Sequence, residues 1–122
     1  MASLTRAMML MAIFASFASV AYCIAGTATY YTVYKPSSCY GNEDQGTMIA
    51  AVSSDIFQNK QACGHMYRVT CTGANCRGGS VTVKVVDLCP GCSANGFDLS
   101  QEAFSAIADI NAGRISIDYT PA

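Results

Sequence analysis

The stretch VTVKVVDLCPGCSANGFDLSQEAF, Val81 to Phe104, decides how this chain reads. An apolar run, Val81 to Val86, leads into an aspartate, Asp87. A Cys89-Pro90-Gly91-Cys92 turn follows, and a second aspartate, Asp98, stands where a helix is expected to begin. Apolar residues on both faces at the end of the run imply a strand buried in a barrel, not one at a sheet edge. Asp98 or Ser100 is placed to cap the helix, and Gln101 stands three residues after Asp98 as in a capping box. Phe104, Ile107 and Ala108 then share a helical face. Two carboxylates at two element ends, eleven residues apart, either line one groove or only cap structure: Asp98 as an N-cap, Asp87 as a strand-end acid bonding the turn.

On the C-terminal side, Asn111-Ala112-Gly113 is a helix stop, and Arg114 to Tyr119 alternates as a closing strand. On the other side, Gly26 to Tyr34 is rich in Thr and Tyr and predicts a first strand, with Thr27, Thr29 and Tyr31 on one face. Tyr30, Tyr31 and Tyr34 either pack half-buried on a sheet or offer an aromatic platform to a sugar or partner. Lys35-Pro36 ends that strand. Cys39 to Gly46 is a polar loop, Thr47 to Val52 a second strand, and Ser53 to Asp55 caps a brief helical turn over Ile56 and Phe57, which leaves Asp55 a structural acid. Cys63 to Cys71 predicts a third strand with Tyr67 and Val69 inward; Thr72 to Gly79 is a turn-rich loop, and Ser80 to Val86 the fourth strand. Five or six short strands and one principal helix make a mainly β chain, a small barrel with a helix packed on it.

The chain has 122 residues, which predicts one domain. Met1 to Arg6 carries one basic residue and no acid, and Ala7 to Ala25 is apolar or small almost throughout, as in a secretory signal peptide. Small residues at its end, without a basic stop-transfer flank, favour cleavage over a membrane anchor, so no membrane insertion is expected. Cleavage falls after Ala21 or after Ala25. The second leaves six of the seven cysteines, an even set, and predicts a single domain over residues 26–122. That domain has six Lys/Arg against eight Asp/Glu, a net charge of about −2, which excludes a basic field for nucleic acid. His65 is the sole histidine and no Cys/His cluster has zinc spacing, so neither a metal nor a cofactor is expected.

The residues carry a family resemblance. Phe97-Asp98-Leu99-Ser100 after Val83-Lys84-Val85-Val86-Asp87 resembles the signature of the expansin N-terminal domain and of family 45 endoglucanases. With Gly26 to Tyr31, Ala62-Cys63-Gly64 and Asp44-Gln45-Gly46-Thr47-Met48, the chain most resembles the plant natriuretic peptides, or endoglucanase-45-like domain proteins. The resemblance implies a six-stranded double-psi β-barrel and disulfides Cys39–Cys63, Cys71–Cys76 and Cys89–Cys92. The last pair also reads as a redox motif, although its thioredoxin-like context is missing. Expansins carry a further carbohydrate-binding domain after the barrel, and that module is not expected here.

In family 45 enzymes the general acid is the aspartate matched here by Asp98, and the base lies two residues after the Tyr of Thr-x-Tyr. Here Thr29-Tyr30-Tyr31 puts Val33 at that place, so no cellulase activity is expected. Barrel-type lytic transglycosylases share an Asp-then-Asp-Leu-Ser arrangement and cleave without water, which leaves Asp87 and Asp98 a second enzymatic reading. The resemblance implies a secreted, monomeric, apoplastic protein that signals in water and solute homeostasis through a cell-surface receptor, with the activity in the segment Pro36 to Tyr67. The other reading is a wall-glycan-binding, barwin-like defence module. In that case Thr29, Tyr31, Asp87 and Asp98 line the groove.

Overall fold

The computed structural model describes residues 22–122. The expected signal peptide lies outside these residues except for its last four. Six strands form: β1 (Ile24–Tyr31), β2 (Ile49–Val52), β3 (Met66–Thr72), β4 (Ser80–Leu88), β5 (Gly96–Ser100) and β6 (Ile115–Pro121). They close into a barrel in the order β1-β5-β2-β4-β3-β6. The β1–β5 and β2–β4 pairs are parallel and the other four antiparallel. A short helix, α1 (Ser54–Phe57), follows β2, and the principal helix, α2 (Gln101–Ile107), follows β5.

Strand alternation fills the barrel. Ala28, Ala50, Val52, Val69, Val83, Val85, Phe97, Leu99 and Ile117 are almost fully buried, and α2 adds Phe104 and Ile107. Each large side chain removed from water stabilises by about 1.5–3 kcal/mol. At one end Phe97 packs against Tyr119 at 4.9 Å and Tyr67 at 5.7 Å. Three disulfides join Cys39 to Cys63, Cys71 to Cys76 and Cys89 to Cys92, supplementing a core that is small for its surface.

The structure corrects several boundaries. Gly96–Ser100 is a strand, not the start of the helix. Asp98 pairs with Thr29 on one side and Ala51 on the other. It does not cap α2 and makes no capping box with Gln101; the cap is Ser100, whose Oγ accepts from the Ala103 amide at 3.0 Å. Phe97 and Leu99 point inward with ladders on both flanks, and those two ladders outweigh a local capping pattern. The third strand starts at Met66 because Cys63 and Gly64 lie in a turn, with Gly64 at φ +81°. The first strand ends at Tyr31, before the cis Lys35–Pro36 bond, and begins at Ile24.

That early start bears on processing. Ile24 pairs with Tyr119 and Ala25 with Asp118, so removing residues through Ala25 would delete two of the five β1–β6 register pairs. Gly26 comes next for a steric reason: a Cβ there would stand 2.1 Å from the Asn95 carbonyl oxygen.

One irregularity decides where the site residues go. On β4, Val85 is the partner of Ala50 but Asp87, not Val86, is the partner of Ala51. Val86 is the extra residue of a bulge. This explains why Val85 and Val86 are both buried: Val85 faces the core, whereas Val86 lies under the loop before β2, where its carbonyl accepts from the Cys39 amide at 3.0 Å.

Candidate functional site

Residues opposite one another on neighbouring strands share a face. The register makes one row of Thr29, Asp98, Ala51 and Asp87 across β1, β5, β2 and β4. Ala28, Leu99, Ala50 and Val85 face inward, so this row faces out. The bulge puts Asp87 in it; uninterrupted alternation after Val83 and Val85 would turn that carboxylate into the core. Because β2 lies between them, the backbones carrying Asp87 and Asp98 stand about 9–10 Å apart, with only the Ala51 methyl between.

Both carboxylates are held. Asp98 Oδ1 accepts from the Thr29 hydroxyl at 2.9 Å. Asp87 Oδ1 accepts from the Leu88 amide at 2.9 Å and from the Ser38 amide at 3.0 Å, which ties the loop before β2 to the strand end. Burial pushes the Asp98 carboxyl above its ordinary pKa, and the Thr29 hydrogen bond pulls the other way.

Tyr31 completes the group from the next row, opposite Ser100. Its hydroxyl is buried and has no hydrogen-bond partner. Burial raises its pKa far above the usual phenol value, and the charges of Asp87 and Asp98 raise it further. Tyr31 stands two residues after Thr29 and so shares its face of β1, the face that carries Asp98. Tyr34 meets the Tyr31 ring edge-on at 5.2 Å, donates to Glu102 Oε2 at 2.5 Å and accepts from the Gln101 amide at 3.1 Å, so the first turn of α2 fixes the aromatic wall. A small cavity of about 80 Å³ adjoins Thr29, bounded by the Cys89–Cys92 turn and Arg114. A larger one, about 210 Å³, lies beyond Tyr34 among Glu43, Asp44 and Gln45.

The four residues singled out in the sequence therefore lie together. Ala51 as spacer, the Ser38 amide and the Glu102 anchor of Tyr34 were not foreseen; each depends on a long-range pairing with no local signal. Val33 lies past the end of β1 with its side chain 76% exposed. His65 lies elsewhere, on a separate cavity at the end of the barrel. Among the described residues no cluster of His, Cys, Asp or Glu is arranged to hold a metal, and no helix is long and apolar enough to cross a membrane. The arrangement offers a hydroxyl-rich ligand a half-buried carboxyl whose pKa burial raises, an unpaired phenol and an aromatic wall.

Comparison with known proteins agrees with this geometry. A family model described as lytic transglycolase, of the double-psi barrel class, matches residues 49–119. An EG45-like domain containing protein of Citrus jambhiri is 53% identical over 113 residues, covering 85% of this chain and 86% of that protein. The expansin of Clavibacter michiganensis superposes with a TM-score of 0.72 at 34% identity, covering 83% of this chain and 50% of the expansin. A point mutant of that expansin, solved in complex with cellohexaose, superposes with a TM-score of 0.69. The barrel is thus a double-psi β-barrel.

Proposed function

This chain belongs to the EG45-like domain proteins, relatives of the expansins, and on that premise we propose that it is a secreted, non-hydrolytic module that binds a β-linked wall glycan along Thr29, Tyr31, Asp87 and Asp98. The observation that carries the proposal is the Tyr31 hydroxyl, buried on the face that carries Thr29 and Asp98 and unpartnered until a ligand supplies an acceptor or donor. The expansin complexed with cellohexaose supports it by likeness. Three disulfides support an oxidising, extracellular destination.

Hydrolysis by inversion needs an acid, a base and a water between them. Asp98 qualifies as the acid. The family position for the base is Val33, an exposed side chain that cannot activate water. Asp87 has one oxygen occupied by two backbone amides. The enzymatic reading that remains is the one in the family model's description, cleavage by Asp98 without water. Clearing of a peptidoglycan suspension by the pure protein would establish it.

The testing experiment is retention on insoluble wall polysaccharide combined with a reducing-sugar assay. Retention that Asp98→Asn and Tyr31→Phe abolish, with no sugar released, is the expected result. A second reading is a receptor-directed signal in water and solute balance. What supports it is that the Cys39–Cys63 bridge closes much of the segment Pro36 to Tyr67, whose stretch from Gly41 to Met48 is largely exposed. Swelling of wall-free protoplasts that is unaffected by Asp98→Asn would favour that reading. In either case we place the mature N-terminus at Tyr22, so that Ile24 and Ala25 keep their pairing with β6 and Cys23 remains as an exposed thiol. Intact-mass measurement of secreted protein checks this.

A further inference from the structure

A second cavity, of about 300 Å³, opens at the end of the barrel where β3 begins and β6 ends. It shares no lining residue with the groove. Its floor is aromatic: Tyr67 and Tyr119 meet edge-on at 5.8 Å and both pack on Phe97. Its wall carries three side-chain amides, Gln58, Gln61 and Asn95, together with Asp55 and His65.

The cavity is held in shape by two devices. The Tyr119 hydroxyl donates to Asn95 Oδ1 at 2.8 Å, while the Asn95 amide donates to Asp55 Oδ2 at 3.0 Å, linking β6, the β5 approach and α1. From Gln58 in the wall the chain runs through Asn59 and Lys60 with φ of 49°, 51° and 73°, three successive non-glycine residues in the left-handed region, before Gln61 and Ala62 return to the cavity. L-residues visit that region singly, and such runs persist where the surroundings enforce them, often at ligand clamps. Here the Ala62 amide donates to the Phe57 carbonyl, the Cys63 amide donates to the Lys60 carbonyl, and the Cys39–Cys63 bridge closes the segment.

We infer that this cavity is a second binding site, for a single neutral sugar ring. Amides and a carboxylate exchange hydrogen bonds with hydroxyl groups, and the tyrosine rings receive the apolar C–H face. Neither Lys nor Arg lines the cavity and Asp55 does, which argues against an anionic ligand. The volume is at the small end of ligand pockets, roughly 300–1,000 Å³, and suits one ring better than a chain.

The test is a titration of ¹⁵N-labelled protein with glucose, xylose, galactose and arabinose in turn, read by backbone amide shifts. At least one sugar shifts the amides of Gln58, Gln61 and Asn95 saturably at millimolar concentration. Gln58→Gly combined with Gln61→Ala, which keeps the left-handed turn and removes both amides, weakens that binding about tenfold. Asp98→Asn leaves it unchanged. The inference is overturned if no sugar gives a saturable shift, if the shifts fall only on groove residues, or if the double variant binds as well as the parent. Both variants are checked for an otherwise unaltered spectrum, and retention on wall polysaccharide reports separately on the groove.

Discussion

Asp87 and Asp98 are the two lateral neighbours of Ala51, one on β4 and one on β5. A residue larger than alanine between them would fill the outer surface where the proposed glycan lies. The two acids also differ in what holds them: backbone amides for Asp87, a side-chain hydroxyl and partial burial for Asp98. Substitutions at the two positions should therefore have unlike effects.

Tyr31→Phe removes a buried hydroxyl that has no partner and keeps the ring against Tyr34. An unsatisfied buried polar group costs about 1–3 kcal/mol, so the variant is expected to be about 1 kcal/mol more stable, roughly 4–8 °C in Tm for a domain of this size, while losing glycan retention. Calorimetry and pull-down on one preparation check both; a destabilised variant would show that the hydroxyl has a partner in solution.

Asp98→Asn tests the raised carboxyl. A folded-state pKa above the unfolded one favours the protonated form in the fold. Its contribution is fully present below the ordinary value of 3.8 and is lost as pH rises through the folded value. The asparagine side chain of the variant cannot ionise and still accepts from Thr29. Denaturant unfolding of both proteins across that window should show the variant gaining on the wild type as pH rises. A pH-independent difference contradicts the assignment.

Gly26→Ala places a methyl carbon where the Asn95 carbonyl oxygen stands 2.1 Å away, on backbone with little room to move. A loss of about 1–3 kcal/mol is expected from the forced shift. The hydrogen bond from the Asn95 backbone amide to Asp55 should loosen with it, visible as faster exchange of the Asn95 amide. An unchanged Tm would mean that β1 and the β5 approach lie farther apart than described.

Replacing Cys39 and Cys63 together by alanine opens a loop with a sequence separation of 24. The chain-entropy model assigns such a bridge about 3.5 kcal/mol. The larger share of that loss should appear as exposure of the segment around Gln58 to Lys60, read by limited proteolysis. Cleavage confined to the termini would sink that part of the prediction.

Val33→Asp puts a carboxylate where the family resemblance places a catalytic base, but on a side chain exposed past the end of β1. No reducing sugar is expected from β-glucan with this variant. Detectable hydrolysis would show that one substitution completes the site and that the loop after β1 closes onto the substrate.

The strand count, the single principal helix and the pairing of the cysteines were legible, because alternation, helical spacing and the family's cysteine pattern agree. The segment Gly96–Ser100 was not. Phe97 and Leu99 alternate with Asp98 as in any strand, but five residues ending in Ser-Gln-Glu also look like a helix start, and the deciding ladders come from β1 and β2, far away in sequence. Thr29, Tyr31, Asp87 and Asp98 were grouped by resemblance, and the structure brings them together on one side of the sheet. Their common row was not legible, because it depends on two strand registers and one bulge. The cavity under Gln58 to Lys60 gave no sequence signal, since nothing in those residue types announces a left-handed run.

The bulge at Val86 makes spacing itself a functional property of β4. Everything after it is shifted by one step relative to the strand's own rhythm. Flattening the bulge with Val86 still in the strand would turn Asp87 toward the hydrophobic interior and Leu88 toward solvent, whereas deleting Val86 would put Asp87 directly after Val85 and leave it on the outer face. The groove therefore depends on the bulge for as long as Val86 is present, and a single-residue deletion at that place would remove the need for the bulge, not the groove.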